Sequence, residues 1–183
     1  HDHYRVKVDL EFPPVMPDYQ EKGFTGQIVI EMAPIEHIPV SVLTFLEVAR
    51  SWKRGAFHRN AGHVLQASTN AADVHDHMPF QEYSEHFPHE KGTTGYCGRP
   101  SGPCWYVSIM DNTKNHGPGS QQKENPYEAD SNFGRVIEGM DDVVPRIHSV
   151  PAKGWLDKSN EIDIVRMQVL VPDFSGEFVP WNG

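Results

Sequence analysis

Phe133-Gly134-Arg135-Val136-Ile137-Glu138-Gly139-Met140-Asp141 is where an extended stretch hands over to a helical one. Asn132 to Val136 reads as a strand, with aromatic and β-branched residues at its ends. Gly139 to Ser149 reads as a short helix, which Pro145 should kink or shorten because it lacks an N–H and crowds the preceding turn. Downstream, Ile162, Ile164, Val165, Met167, Val169 and Val171 mark a late strand. A tail from 172 to 183 follows, and its aromatics Phe174, Phe178 and Trp181 are expected to pack onto the surface of the fold.

Upstream, Tyr4 to Leu10 alternates. Tyr4, Val6, Val8 and Leu10 fall on one side and Arg5, Lys7 and Asp9 on the other, the pattern of a half-buried strand. Gln27 to Met32 is a second strand, paired with the first as a hairpin with a long connection. Pro39 to Trp52 predicts a helix: Val42, Phe45, Leu46 and Ala49 share one face, Pro39 suits the first turn, and Gly55 lies just past the end. Ala56 to Ala67 is the next strand candidate. Residues 68–104 read as long loops around short extended pieces, Trp105 to Met110 as a buried strand, and 111–130 as polar and turn-rich. Many strands and two separated helices predict one domain built as a closed barrel of about eight strands, with a core over residues 4–171.

The bulk properties narrow the function. The chain has 183 residues, 38% apolar and 22% charged. Sixteen basic residues face 25 acidic ones for a net charge of −9, without a basic block. Nucleic acid is therefore an unsuitable partner, since phosphate binding needs a basic surface. No apolar run approaches the roughly 18 residues that span a bilayer. The chain starts at His1, so a processed or truncated N-terminus is expected, with compartment unassigned and a lumenal or secreted setting compatible. Cys97 and Cys104 flank a turn-rich loop that can bring them together; a disulfide would imply an oxidising compartment, and two free thiols would leave it open.

In order along the chain, these segments resemble the cyclophilin family of peptidyl-prolyl isomerases. Gly26 to Glu31 resembles the family's second strand, and Pro39 and Phe45 have its first-helix spacing. Phe57-His58-Arg59 matches its FHR motif, and Gly62 to Gln66 resembles G-F-M-x-Q. Met110-Asp111-Asn112 and Gly119-Ser120-Gln121 resemble M-A-N and G-S-Q. Phe133 to Asp141 is very close to FG-x-V-x-x-G-M-D. The resemblance runs from about residue 4 to 171. It implies a closed antiparallel barrel of about eight strands capped by two helices, no cofactor, and a Pro-containing peptide or protein segment as partner.

Prolyl isomerisation needs neither a nucleophile nor an acid–base pair. Rotation about the peptide bond costs about 18–20 kcal/mol because amide resonance is lost. In the twisted amide the prolyl nitrogen regains a lone pair, which a positioned guanidinium can hydrogen-bond. The resemblance makes Arg59 that guanidinium and Gln66 its support. It makes His63 and Val64 pocket residues, and Asn112 and Gln121 binders of the substrate main chain. The alternative is that Arg59 is a structural ion-pair partner and Gln66 a satisfied strand residue.

The pocket departs from the pattern. His63 and Val64 stand where the family has Phe and Met. Lys123 stands at a further Phe, and 122–132 lacks the family's Trp and His. Each lost apolar wall gives up about 1.5–3 kcal/mol, so two or three remove several powers of ten in activity. Two functions follow from these residues: an isomerase of low activity, or an inactive binding or scaffold module that recognises a Pro-containing segment or serves a larger assembly. The eleven histidines raise a metal site, with His75, His77, His86 and His89 in one region and His1-Asp2-His3 at the start. Their spacing fits no established ligand motif, so no metal is assigned.

Overall fold

The structure is a computed structural model; it describes residues 4–71, 78–99, 102, 104–120 and 127–182. The first hairpin forms as the alternation predicts. β1 (Arg5–Glu11) buries Val6, Val8 and Leu10, while Tyr4 stays 45% exposed just outside it. The connection carries the single-turn helix α1 (Tyr19–Lys22), and β2 (Thr25–Met32) returns antiparallel to β1.

Helix α2 (Pro39–Arg50) starts with Pro39 in its first turn. Its unpaired N–H groups meet a carboxylate from far along the chain: Glu82 accepts from Val40 N at 3.2 Å and Ser41 N at 2.7 Å. This satisfies donors that the helix cannot satisfy itself. Val42, Phe45, Val48 and Ala49 form the buried face. Phe45 stacks on Phe133 at 3.9 Å and meets Trp105 edge-on at 5.3 Å. Aromatic pairs of this kind contribute about 0.5–1.5 kcal/mol beyond their buried area.

The stretch expected as one strand over 56–67 is a hairpin. β3 (Trp52–Asn60) turns through Ala61 to His63 into β4 (Val64–Ala71). Gly62 has φ +85°, which a residue with a Cβ rarely adopts. Gly55 is not a helix stop but lies inside β3. β5 (Thr93–Tyr96) and β6 (Trp105–Ser108) follow, then the short helix α3 (Thr113–His116) and β7 (Asn132–Glu138). α4 is Val143–His148, later than the expected start at Gly139. Its start is fixed by Asp142, whose carboxylate accepts from Val143 N at 2.8 Å. Pro145 thereby falls in the first turn, where a missing N–H costs nothing. β8 (Gly154–Trp155), β9 (Ile162–Pro172) and β10 (Phe178–Pro180) complete the chain.

All pairings are antiparallel, in the order β10-β9-β1-β2-β7-β5-β6-β4-β3-β8. β3 also pairs with β9, so the eight inner strands close into a barrel, with β10 and β8 attached outside the ring. No helix among the described residues is long and apolar enough to cross a membrane. The tail expectation holds in part. β10 pairs with β9, and Arg5 lies 3.8 Å over the Phe178 ring, but Phe174 is fully exposed in a turn.

A buried polar network joins His89, Arg99, His116 and Asp130 to Tyr106 on the outer face of β6. Asp130 accepts from Arg99 Nε at 3.0 Å and Tyr106 Oη at 3.2 Å, and its other contact is His116 Nδ1 at 2.5 Å. Arg99 Nη2 also donates to the His116 carbonyl and to Ser120 Oγ. His89, wholly buried, contacts the Asp130 carbonyl through Nε2 at 3.0 Å. Burial pushes its pKa down from 6.5 to about 4, against the pull of Asp130.

Two measurements check this architecture. A Cβ on Gly55 would lie 2.6 Å from the Ser68 carbonyl and 3.3 Å from Ile164 Cδ1, at the barrel seam. Gly55→Ala should cost about 1–3 kcal/mol in urea unfolding; an unchanged midpoint would mean that the seam gives way freely. His89 binds its proton less readily folded than unfolded, so its contribution is complete above about pH 6.5 and lost as pH falls toward 4. Unfolding free energy should drop by about 3 kcal/mol across that window from this residue, and His89→Gln should flatten the fall.

Candidate functional site

The site begins at an irregularity in the β3–β4 ladder. Phe57 pairs with Ala67, but the next pairing is Arg59 with Gln66, so His58 is the extra residue of a bulge. Phe57 points into the core and Arg59 faces outward opposite Gln66. The two side chains meet: Arg59 Nη1 donates to Gln66 Oε1 at 3.2 Å. On its other edge Arg59 pairs with Trp155 of β8, and the guanidinium carbon lies 4.8 Å from that ring's centre. Arg59 Nε is buried and has no partner among the described residues.

Trp155, 70% exposed, was not singled out by the sequence reading. It sits in a two-residue strand without periodicity, so nothing local marks it. The His58 ring stacks on it at 5.4 Å and reaches Ser68 Oγ at 3.2 Å through Nδ1. The Cys104 thiol is also within hydrogen-bonding reach of His58. Arg59 therefore sits among Gln66, Trp155, His58 and Cys104, a mostly polar group with one exposed aromatic face.

His63 is half-buried at the hairpin turn, with Nδ1 3.2 Å from the Ala61 carbonyl. Its ring stacks on His116 at 5.2 Å. Burial holds its pKa below the usual 6.5, helped by His116 and Arg59, so the ring is neutral at pH 7. Val64 is wholly buried and pairs with Ser108, while Gln66 pairs with Tyr106. Val64 and Tyr106 stand outside the interior cluster. They lie on the outer face of the sheet, where the His116 ring covers Tyr106 at 4.8 Å.

Asn112, expected to bind the substrate main chain, is wholly buried; its Nδ2 donates to the His63 carbonyl at 3.0 Å and its Oδ1 accepts from Asn115 at 2.9 Å. These bonds tie α3 to the hairpin turn. Gln121 and Lys123 lie outside the described residues, as do His1, His3, His75 and His77. His86 stacks on His37 and His89 is part of the buried network. No cluster of three metal-binding side chains occurs among the described residues. Cys97 and Cys104 are unjoined, with Cys97 N donating to the Cys104 carbonyl at 2.8 Å.

No family model matches the sequence, and no curated protein matches it. Solved structures do. A cyclophilin type peptidyl-prolyl cis-trans isomerase of Cryptosporidium parvum, crystallised in the presence of the dipeptide Ala-Pro, aligns with a TM-score of 0.58 at 14% identity, over 87% of this chain and 96% of that one. The Mimivirus cyclophilin aligns with a TM-score of 0.60 at 15% identity, over 96% of this chain and 92% of that one. A cyclophilin from Hirschia baltica gives 0.52 at 14% identity, over 91% and 76%. At this identity the likeness is one of architecture, and by it the chain has the cyclophilin-type fold.

Proposed function

We propose that the chain binds an exposed X–Pro segment at Arg59 and isomerises it slowly. The observation that carries this reading is the Arg59 guanidinium. Gln66 and Trp155 hold it in place, and Arg59 is only half-buried on the outward face of β3. A fixed donor of this kind stabilises the lone pair that forms on the prolyl nitrogen in the twisted amide. Exchange at X–Pro bonds otherwise takes tens to hundreds of seconds. Trp155 gives an apolar face beside the donor, and a related fold was crystallised in the presence of Ala-Pro.

The low rate follows from the ring pocket. Val64 and Tyr106 are buried, with the His116 ring over Tyr106, and His63 with His116 behind it stands where an apolar wall would be. A desolvated pyrrolidine gains little from imidazole and less from imidazolium. The same burial favours a second reading, a module that holds a Pro-containing segment, alone or within an assembly, without turning it over.

NMR exchange on an Ala-Pro peptide separates the two. The native chain should speed exchange measurably, and Arg59→Ala should abolish the effect. Because His63 takes its proton only below its usual range, activity should be level above about pH 6.5 and fall in more acid solution. His63→Phe should raise affinity and level the profile. Peptide binding without acceleration would favour the binding module; full activity in Arg59→Ala would remove Arg59 from the mechanism.

A further inference from the structure

The β5–β6 ladder ends, in register, at Tyr96 opposite Trp105. One position further, Cys97 N donates to the Cys104 carbonyl at 2.8 Å, so the two cysteines are also directly opposed. Opposed residues in an antiparallel pair have Cα atoms roughly 4.5–5.5 Å apart and side chains on one face. That separation falls within the range a disulfide requires. Tyr96 and Trp105 point into the core, so both thiols lie on the outer face, and both residues are partly exposed. Gly98, directly after Cys97, has φ +82°, a conformation that residues with a Cβ rarely adopt.

The two thiols are not equivalent. Trp105 pairs with Ala67, so Cys104 follows on the side of Ser68, whose Oγ lies 3.2 Å from His58 Nδ1, and His58 and the Arg59 guanidinium both act on the Cys104 sulfur. Cys97 feels the Cys104 sulfur and the buried Asp130 carboxylate, offset in part by Arg59.

We propose that Cys97 and Cys104 are a peroxide-reactive redox pair, with Cys104 attacking and Cys97 resolving. The Cys104 thiolate attacks one oxygen of a hydroperoxide. The O–O bond breaks, the leaving oxygen takes a proton and departs as water or an alcohol, and Cys104 becomes a sulfenic acid. The Cys97 sulfur then attacks the Cys104 sulfur; the S–O bond breaks, and the Cys97 proton leaves with the hydroxyl as water. The hydroperoxide is reduced and the two thiols are oxidised to one disulfide. The electrostatics agree in direction: the neighbouring Cys97 thiol, with His58 and Arg59, draws Cys104 below the usual thiol value against the opposing effect of burial, while Cys104 and burial push Cys97 up. This chemistry is independent of the isomerase reading.

The experiment treats the reduced full chain with hydrogen peroxide and follows intact mass and free thiols. The expected product has lost two hydrogens and both thiols, remains monomeric, and is restored by dithiothreitol. Cys97→Ser should stop at a sulfenic acid on Cys104 that dimedone captures. Cys104→Ser should form no internal disulfide and react at least about tenfold more slowly. In Cys97→Ser, where a hydroxyl still faces Cys104, thiol reactivity should rise through a midpoint well below the usual thiol value near 8.5, and His58→Ala should move it upward. The proposal is overturned if the native thiols persist, if disulfides form only between molecules, or if Cys97 proves the faster thiol.

Discussion

The rest of the molecule depends on the closure of β3 against β9. Only Gly55, Ala56 and Phe57 make this contact, to Ile164, Asp163 and Ile162. Position 55 has no side chain; a Cβ there would strike the Ser68 carbonyl of β4 and press on the Ile164 side chain of β9. Phe57 pairs with Ile162, the first residue of β9, and beyond it β8 takes over the same edge of β3 at Arg59 and Asn60. The guanidinium thus stands just past the seam, beside the bulge that turns it outward. The seam that closes the barrel also sets Trp155 against Arg59.

The cleft side of the sheet is filled with charge and imidazole where an apolar lining would be expected of a ring pocket. Arg99 and Asp130 are almost wholly buried, and each has several hydrogen-bond partners. A buried pair of this kind adds little net stability, but losing one partner costs about 3–5 kcal/mol because the other is left charged and dry. Its structural effect is to pin the segment bearing His116 over Tyr106, which fixes how much of the sheet's outer face a ligand can reach.

Much of the fold was legible because its strands obey simple periodicities. Val6, Val8 and Leu10 alternate, and Val42, Phe45 and Ala49 recur at helical spacing, each with one face in the core. β5 gave no such signal because all four of its residues, Thr93 to Tyr96, are buried, which leaves no polar face to alternate. Reading 68–104 as long loops around short extended pieces, none of them located, therefore left the partner of β6 unplaced. In the site, Arg59 and Gln66 stood out because two short motifs a few residues apart carry them, and the ladder pairs them. The burial of Asn112 was not legible, because a polar residue near a cleft looks available until its hydrogen bonds are traced. Trp155 was out of reach, since its neighbours in space come from strands distant in the chain.

β9 receives β1 on one edge and β10 on the other, and Arg5 and Pro180 both pair with Leu170. Two strand spacings, roughly 10 Å, therefore separate the outermost strand positions at the two ends of the described fold. Such a geometry tolerates circular permutation: a few flexible residues could join these ends, and new ends could open in an exposed turn such as 157–160. For the same reason the barrel can be carried as an insert within another chain, whose two connections would lie side by side on one patch of surface.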